Sequence, residues 1–153
     1  AIVFEEMEQE SDLGFCDAES RQIVISKDFV SRLQCPWVAD QVLNFTLAHE
    51  LGHARLHAHL LRQGEWEASW EDEATLYARV FLIPRAMLMK CEETLELLGS
   101  PRQARQGDLW DYVLELADVF QVSGKFMVHT LDAYGLIQFD PATRWIRVLP
   151  QAA

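Results

Sequence analysis

Residues 45–53 read Phe-Thr-Leu-Ala-His-Glu-Leu-Gly-His, and His49-Glu50-Leu51-Gly52-His53 has the HExxH spacing. On an α-helix, positions i and i+4 differ by about 40° in azimuth and about 6 Å in rise. Two imidazoles so placed reach one metal ion from the same face. Glu50 lies beside them, about 60° from His53 on the helical wheel. A carboxylate there can accept a proton from an attacking water without itself being a ligand. The alternative is a core helix with two satisfied histidines. Gly52 argues for the metal reading, because glycine inside a helix costs about 1 kcal/mol relative to alanine. Close approach of another element would explain that cost.

His57 continues the row to i+8. It lies about 12 Å along the axis from His49, too far for one ion with bonds of about 2.0–2.1 Å to be shared by all three. It is expected to support the site or to pack. A third ligand must come from elsewhere, and Glu67, Glu71, Asp72 and Glu73 are the candidates. Ala74, Thr75, Ala78 and Leu82 share a face with Glu71 at helical spacing, and a face of small residues can approach a neighbouring helix. Trp66 and Trp70 sit at i, i+4 just before Glu71. They are read as rim packing or as the wall of a substrate groove, and Trp37 and Trp110 also fall near loops or helix starts.

The elements that must hold these residues follow from pattern. Residues 2–4 form a short strand. Leu13–Cys16 and Gln22–Ser26 form two strands around the turn Asp17–Ser20. Ser26–Leu33 is a short helix or turn, and Cys35-Pro36 interrupts the chain. A long helix is expected from an Asp40 N-cap to about Leu61, and a second from Trp66 to Leu82, ended by Pro84. Pro84–Leu98, Asp108–Phe120 and Ser123–Tyr134 complete the helical part, with a stop at Gly99-Ser100-Pro101. A hairpin of 136–139 and 144–148 closes the chain around Asp140–Thr143. The order predicts an α+β fold with a small mixed or antiparallel sheet.

The 153 residues fit one domain. Thirteen basic against 24 acidic residues leave a net charge of −11, which argues against general binding to nucleic acid or anionic membrane. No apolar run is long enough to span a bilayer. Three scattered cysteines, Cys16, Cys35 and Cys91, fit neither a disulfide framework nor a zinc knuckle. They are read as reduced thiols of a cytoplasmic protein. The chain opens at Ala1 with neither an initiator Met nor a signal-like segment, so a trimmed N-terminus is expected.

Thr46–His53, Leu56-His57, Glu71–Ala78 and Leu82-Ile83-Pro84 together resemble the ImmA/IrrE family of small metallopeptidases, over about residues 14–137. The resemblance implies a zincin-like core of gluzincin type carrying HExxH, within a single metallopeptidase domain spanning 1–153. It implies zinc held by His49, His53 and Glu71, with Glu50 as general base. Where the family often has Asn or Asp, this chain has Thr75, a residue that can still hydrogen-bond in support of the site. His129, Tyr134 and Tyr77 are candidate oxyanion donors. Leu116–Ser123 with Leu131 and Gly135–Ile137 resembles a helix-turn-helix, but only Lys125 and His129 there are basic, so direct DNA binding is not expected. The implied partner is a protein substrate, such as a helix-turn-helix repressor encoded in a phage, mobile-element or stress setting. Two other readings use the same residues: a zinc-containing binding module that does not cut its partner, and a zinc site with purely structural purpose.

Overall fold

The computed structural model describes residues 1–6, 13–33, 35–100 and 104–151. Pro101, part of the expected stop after the third helical segment, lies outside them. The fold is α+β, as the pattern predicts. It divides into two compact units, Ala1–Leu82 and Ile83–Ala153.

In the first unit, β1 (Ile2–Glu5), β2 (Gly14–Asp17) and β3 (Gln22–Ser26) form a sheet of order β1-β3-β2. β1 runs parallel to β3, and β2 antiparallel to it. The sheet is therefore mixed. Its central strand carries Ile23, Val24 and Ile25, all buried, as a β-branched run between two partners should be. The β2–β3 turn is held by Asp17, whose Oδ1 accepts from the backbone N–H groups of Glu19 at 2.9 Å and Ser20 at 3.2 Å. Arg21 completes the turn at φ 59°.

α1 spans Lys27–Arg32, and Ser26 caps it by accepting from the Phe29 N–H. The long helix α2 spans Pro36–Leu56. Its start corrects the expectation of an Asp40 cap. Pro36 occupies the first turn, where the N–H it lacks has no helical partner anyway, so Cys35-Pro36 opens the helix instead of interrupting it. Its end is also earlier than expected. His57 leaves helical geometry at φ −118°, and α3 (Ala58–Leu61) follows as a separate turn. Gly64, at φ 74°, then reverses the chain. α4 begins at Ser69, not Trp66, and ends at Leu82.

α4 buries Trp70, Ala74 and Ala78 as one stripe at i, i+4, i+8, and α2 is its main packing partner. The contact is tight at Gly52. A Cβ there would lie 3.0 Å from the Ala74 Cα and 3.2 Å from the Ala74 carbonyl oxygen. The glycine that costs α2 helical propensity is the one that admits α4. At Gly14 of β2, a Cβ would stand 3.2 Å from the Thr46 side chain of α2, so the sheet also seats closely on this helix.

The second unit contains α5 (Arg85–Leu88), α6 (Glu92–Gly99), α7 (Gln106–Val119), α8 (Gly124–Ala133) and the hairpin β4 (Ile137–Asp140)–β5 (Trp145–Val148). The segment expected as one element from Pro84 to Leu98 is broken at Met89–Cys91. Leu97, Val113, Leu116, Met127, Leu131, Leu136, Ile137 and Ile146 form this unit's core. The Gln106 side chain clamps β5 to α7, donating to the Ile146 carbonyl at 2.9 Å and accepting from its N–H at 2.7 Å.

Candidate metal centre

His49, Glu50 and His53 all come from the middle and last turns of α2, and Glu71 from the first turn of α4. A carboxylate in a first turn is favoured by the positive end of the helix dipole. The Nε2 atoms of His49 and His53 lie 3.2 Å apart. Glu71 places Oε2 3.0 Å from His49 Nε2 and Oε1 3.3 Å from His53 Nε2. Among the described residues these three side chains form a group able to hold a metal ion. Bonds of about 2.0–2.1 Å in tetrahedral geometry require ligand atoms about 3.3–3.4 Å apart. The observed separations, 3.0–3.3 Å with a different Glu71 oxygen facing each ring, are at or slightly inside that length. Two neutral nitrogens and one carboxylate oxygen make the donor set borderline in softness, which suits zinc among other divalent ions.

Of the four acidic candidates, Glu67 precedes α4, and Glu71 is the one brought to both histidines. Glu73 turns instead to His57, whose Nε2 lies 3.1 Å from its Oε2. The other nitrogen of that ring, Nδ1, sits 3.2 Å from His53 Nδ1. His57 thus touches a member of the triad from outside, as its distance along the helix requires. The outer nitrogen of His49 faces Thr75 Oγ1 at 3.4 Å.

Glu50 is buried. Burial pushes its carboxyl up to about 7, the nearby Glu71 charge adds to this, and a backbone hydrogen bond from Cys16 on β2 pulls the other way. His53 is lowered from its ordinary value, first by burial and then by His49, with Glu71 opposing. A histidine held neutral in this way has its lone pair ready for a metal. Cys16 is itself raised, by burial first and by Glu50 second, so it is an unreactive thiol at neutral pH.

The tryptophans divide. Trp70 is buried and stacks on His57 with centroids 4.6 Å apart and planes 6° from parallel. Trp66 is 58% exposed and lies 5.9 Å from the His53 ring. Trp37 is exposed as well, and Trp110 donates its Nε1–H to the Arg144 carbonyl in the second unit. Among the candidate oxyanion donors, Tyr77 belongs to the same unit as the triad and stacks on Phe81. Tyr134 donates its hydroxyl to the Ile83 carbonyl at 2.7 Å, and His129 packs edge-on to Phe139. A groove of about 990 Å³ is lined by Leu47, Leu51 and Ala54 of α2 among others, and none of the triad lines it.

Residue pattern offered Glu73 as a candidate ligand and Trp70 as rim packing or groove wall, but not their contacts with His57, and it did not find Cys16. The i+4 step from His53 to His57 was the available signal for the first two. The third depends on how β2 seats on α2, which no local pattern records.

A family model described as Peptidase_M78, IrrE N-terminal-like domain, matches residues 1–132. The chain belongs to this peptidase family. No curated protein matches the sequence. Family membership supports peptidase activity on a protein substrate, and His49, His53 and Glu71 form a possible metal site. No helix among the described residues is long and apolar enough to cross a membrane.

Proposed function

We propose that this member of the family is a zinc-dependent endopeptidase with a zincin-like core, in which His49, His53 and Glu71 hold the metal and Glu50 is the general base. The observation that carries the reading is the convergence of two imidazole nitrogens and one carboxylate on one point, with separations of 3.0–3.3 Å, and with the buried Glu50 carboxyl on the same helix as the two histidines. Zinc, when bound, would polarise the scissile carbonyl and make water acidic enough to attack near neutral pH.

The rest of the chemistry belongs to the chain. Glu50 takes the proton of the attacking water and returns it to the leaving amine. In the metal-free chain burial and the Glu71 charge push this carboxyl up to about 7; a dication held beside it would draw it back down and keep it ionised, ready to accept a proton. The exposed Trp66 indole beside His53 gives the substrate an apolar surface. We place both units in one metallopeptidase domain acting in the cytoplasm. The partner class is a protein substrate, with a helix-turn-helix repressor as the one implied by the motifs around His49 and Glu71.

Glu50→Gln tests the mechanism. The zinc-loaded protein and the variant are compared on a peptide library read by mass spectrometry. The variant is expected to bind zinc as the parent does and to cleave roughly 10²–10⁴-fold more slowly. Cleavage at the parent rate by Glu50→Gln would remove Glu50 from the mechanism.

A further inference from the structure

The outer nitrogens of the two histidines make different contacts. His49 Nδ1 meets a hydroxyl, Thr75 Oγ1, which can donate or accept. His53 Nδ1 meets another imidazole nitrogen, His57 Nδ1, at 3.2 Å. Two ring nitrogens at hydrogen-bond distance need one proton between them, so one ring must donate and the other accept.

Ligation decides which. A metal bound through His53 Nε2 needs the lone pair there, so the proton of the neutral ring must sit on Nδ1. His53 then donates and His57 Nδ1 must accept. A neutral His57 that accepts at Nδ1 carries its own proton on Nε2. Its partner at that position has to be an acceptor, and Glu73 Oε2 stands there at 3.1 Å. The order of donors is therefore fixed along the row: His53 Nδ1–H to His57 Nδ1, and His57 Nε2–H to Glu73. In the reverse order the proton on His53 would occupy the ligating nitrogen, and His57 would present a lone pair to a carboxylate.

Trp70 makes the arrangement rigid. It is 5% exposed and covers the His57 ring, almost parallel to it. It blocks rotation of that ring and keeps water from competing for Nδ1. His57 is itself only 3% exposed, while Glu73 reaches solvent. The row thus runs from a buried ligand to a charge at the surface.

We propose that His57 and Glu73 are positioning residues that hold His53 in the ring tautomer able to ligate through Nε2, with Trp70 fixing the plane of the His57 ring. The proposal rests on the metal-site reading above. It assigns to Glu73 a purpose distinct from that of Glu71 two residues earlier. It also gives His57 a purpose that its distance from His49 denies it as a ligand.

The test uses the full chain freed of metal and titrated with zinc against a chelator of known affinity. His57→Phe keeps a flat ring on Trp70 and removes the acceptor. It is expected to weaken zinc binding roughly 10- to 100-fold while the metal-free protein melts near the parent temperature. Glu73→Leu, at a half-exposed position, is expected to weaken binding in the same direction, and Glu73→Gln, which keeps an acceptor oxygen, to restore most of it. In the zinc-loaded parent, ¹⁵N spectra of the histidine rings should show a proton on His53 Nδ1 and on His57 Nε2, with a coupling across the Nδ1–H···Nδ1 bond. Parental zinc affinity in both His57→Phe and Glu73→Leu, or a proton on His57 Nδ1, would overturn the proposal alone. If His57→Phe does not fold, Glu73→Leu and the ring spectra decide. A parent chain that takes up no zinc would overturn the metal-site reading and this proposal with it.

Discussion

Glu50 carries two consequences of one physical fact. Its folded-state carboxyl binds a proton more tightly than the ordinary value of 4.5, up to about 7, because burial penalises the charge and Glu71 repels it. Between those values the unfolded chain holds fewer protons than the folded one. Stability of the metal-free protein therefore falls as pH rises through that window, and the cost is fully present above it. The shift corresponds to roughly 3 kcal/mol. Glu50→Gln removes the charge and keeps the shape. Metal-free Glu50→Gln should melt above the parent at pH 8 and level with it at pH 4, measured by thermal unfolding. Equal melting temperatures at pH 8 would show that Glu50 is not held in a charge-penalising environment. In the proposed mechanism the general base is therefore also a residue that destabilises the metal-free fold.

At the scale of elements, the pairing of α2 with α4 governs the site, and Gly52 governs that pairing. Any side chain there meets the Ala74 backbone of α4 at 3.0–3.2 Å, and helical backbone has little room to yield. Gly52→Val should force the helices apart, cost about 1–3 kcal/mol through overpacking and carry Glu71 away from the histidines. Zinc titration and thermal unfolding together check this, with at least a tenfold loss of affinity expected. Unchanged affinity would mean that Glu71 does not depend on this contact.

Much of this geometry was legible in the chain itself. HExxH on a helix fixes His49, Glu50 and His53 relative to one another by helical spacing alone, and the small-residue stripe after Trp70 announced a close helical neighbour. Helix boundaries were less legible. Pro36 reads locally as a breaker and serves as a helix opener, and His57 ends α2 where the apolar pattern runs on to Leu61. Choosing Glu71 over Glu73 required the azimuth of α4 against α2, a tertiary quantity. The family motif supplied it where residue pattern left four acidic candidates open. The contact of Cys16 with Glu50 joins a strand to a helix far along the chain and had no sequence signal.

At the scale of the molecule, the acidic balance of −11 opposes the compact state by self-repulsion, and the triad concentrates a carboxylate and two imidazoles at one point of the first unit. A divalent cation held there would bind the folded state more tightly than the unfolded chain and so stabilise by mass action. At free zinc about 100-fold above the dissociation constant the gain is about 2.7 kcal/mol. The melting temperature should therefore rise with zinc concentration in the parent and stay flat in Glu71→Ala. A rise of the same size in both would place the ion elsewhere on the acidic surface.

The most direct measurement is elemental analysis of the protein purified without added metal, with His53→Ala prepared in parallel. The triad predicts about one zinc per chain in the parent, from its three-ligand geometry, and none in the variant. No metal in the parent, even after incubation with micromolar zinc, or equal metal in both proteins, would contradict the account.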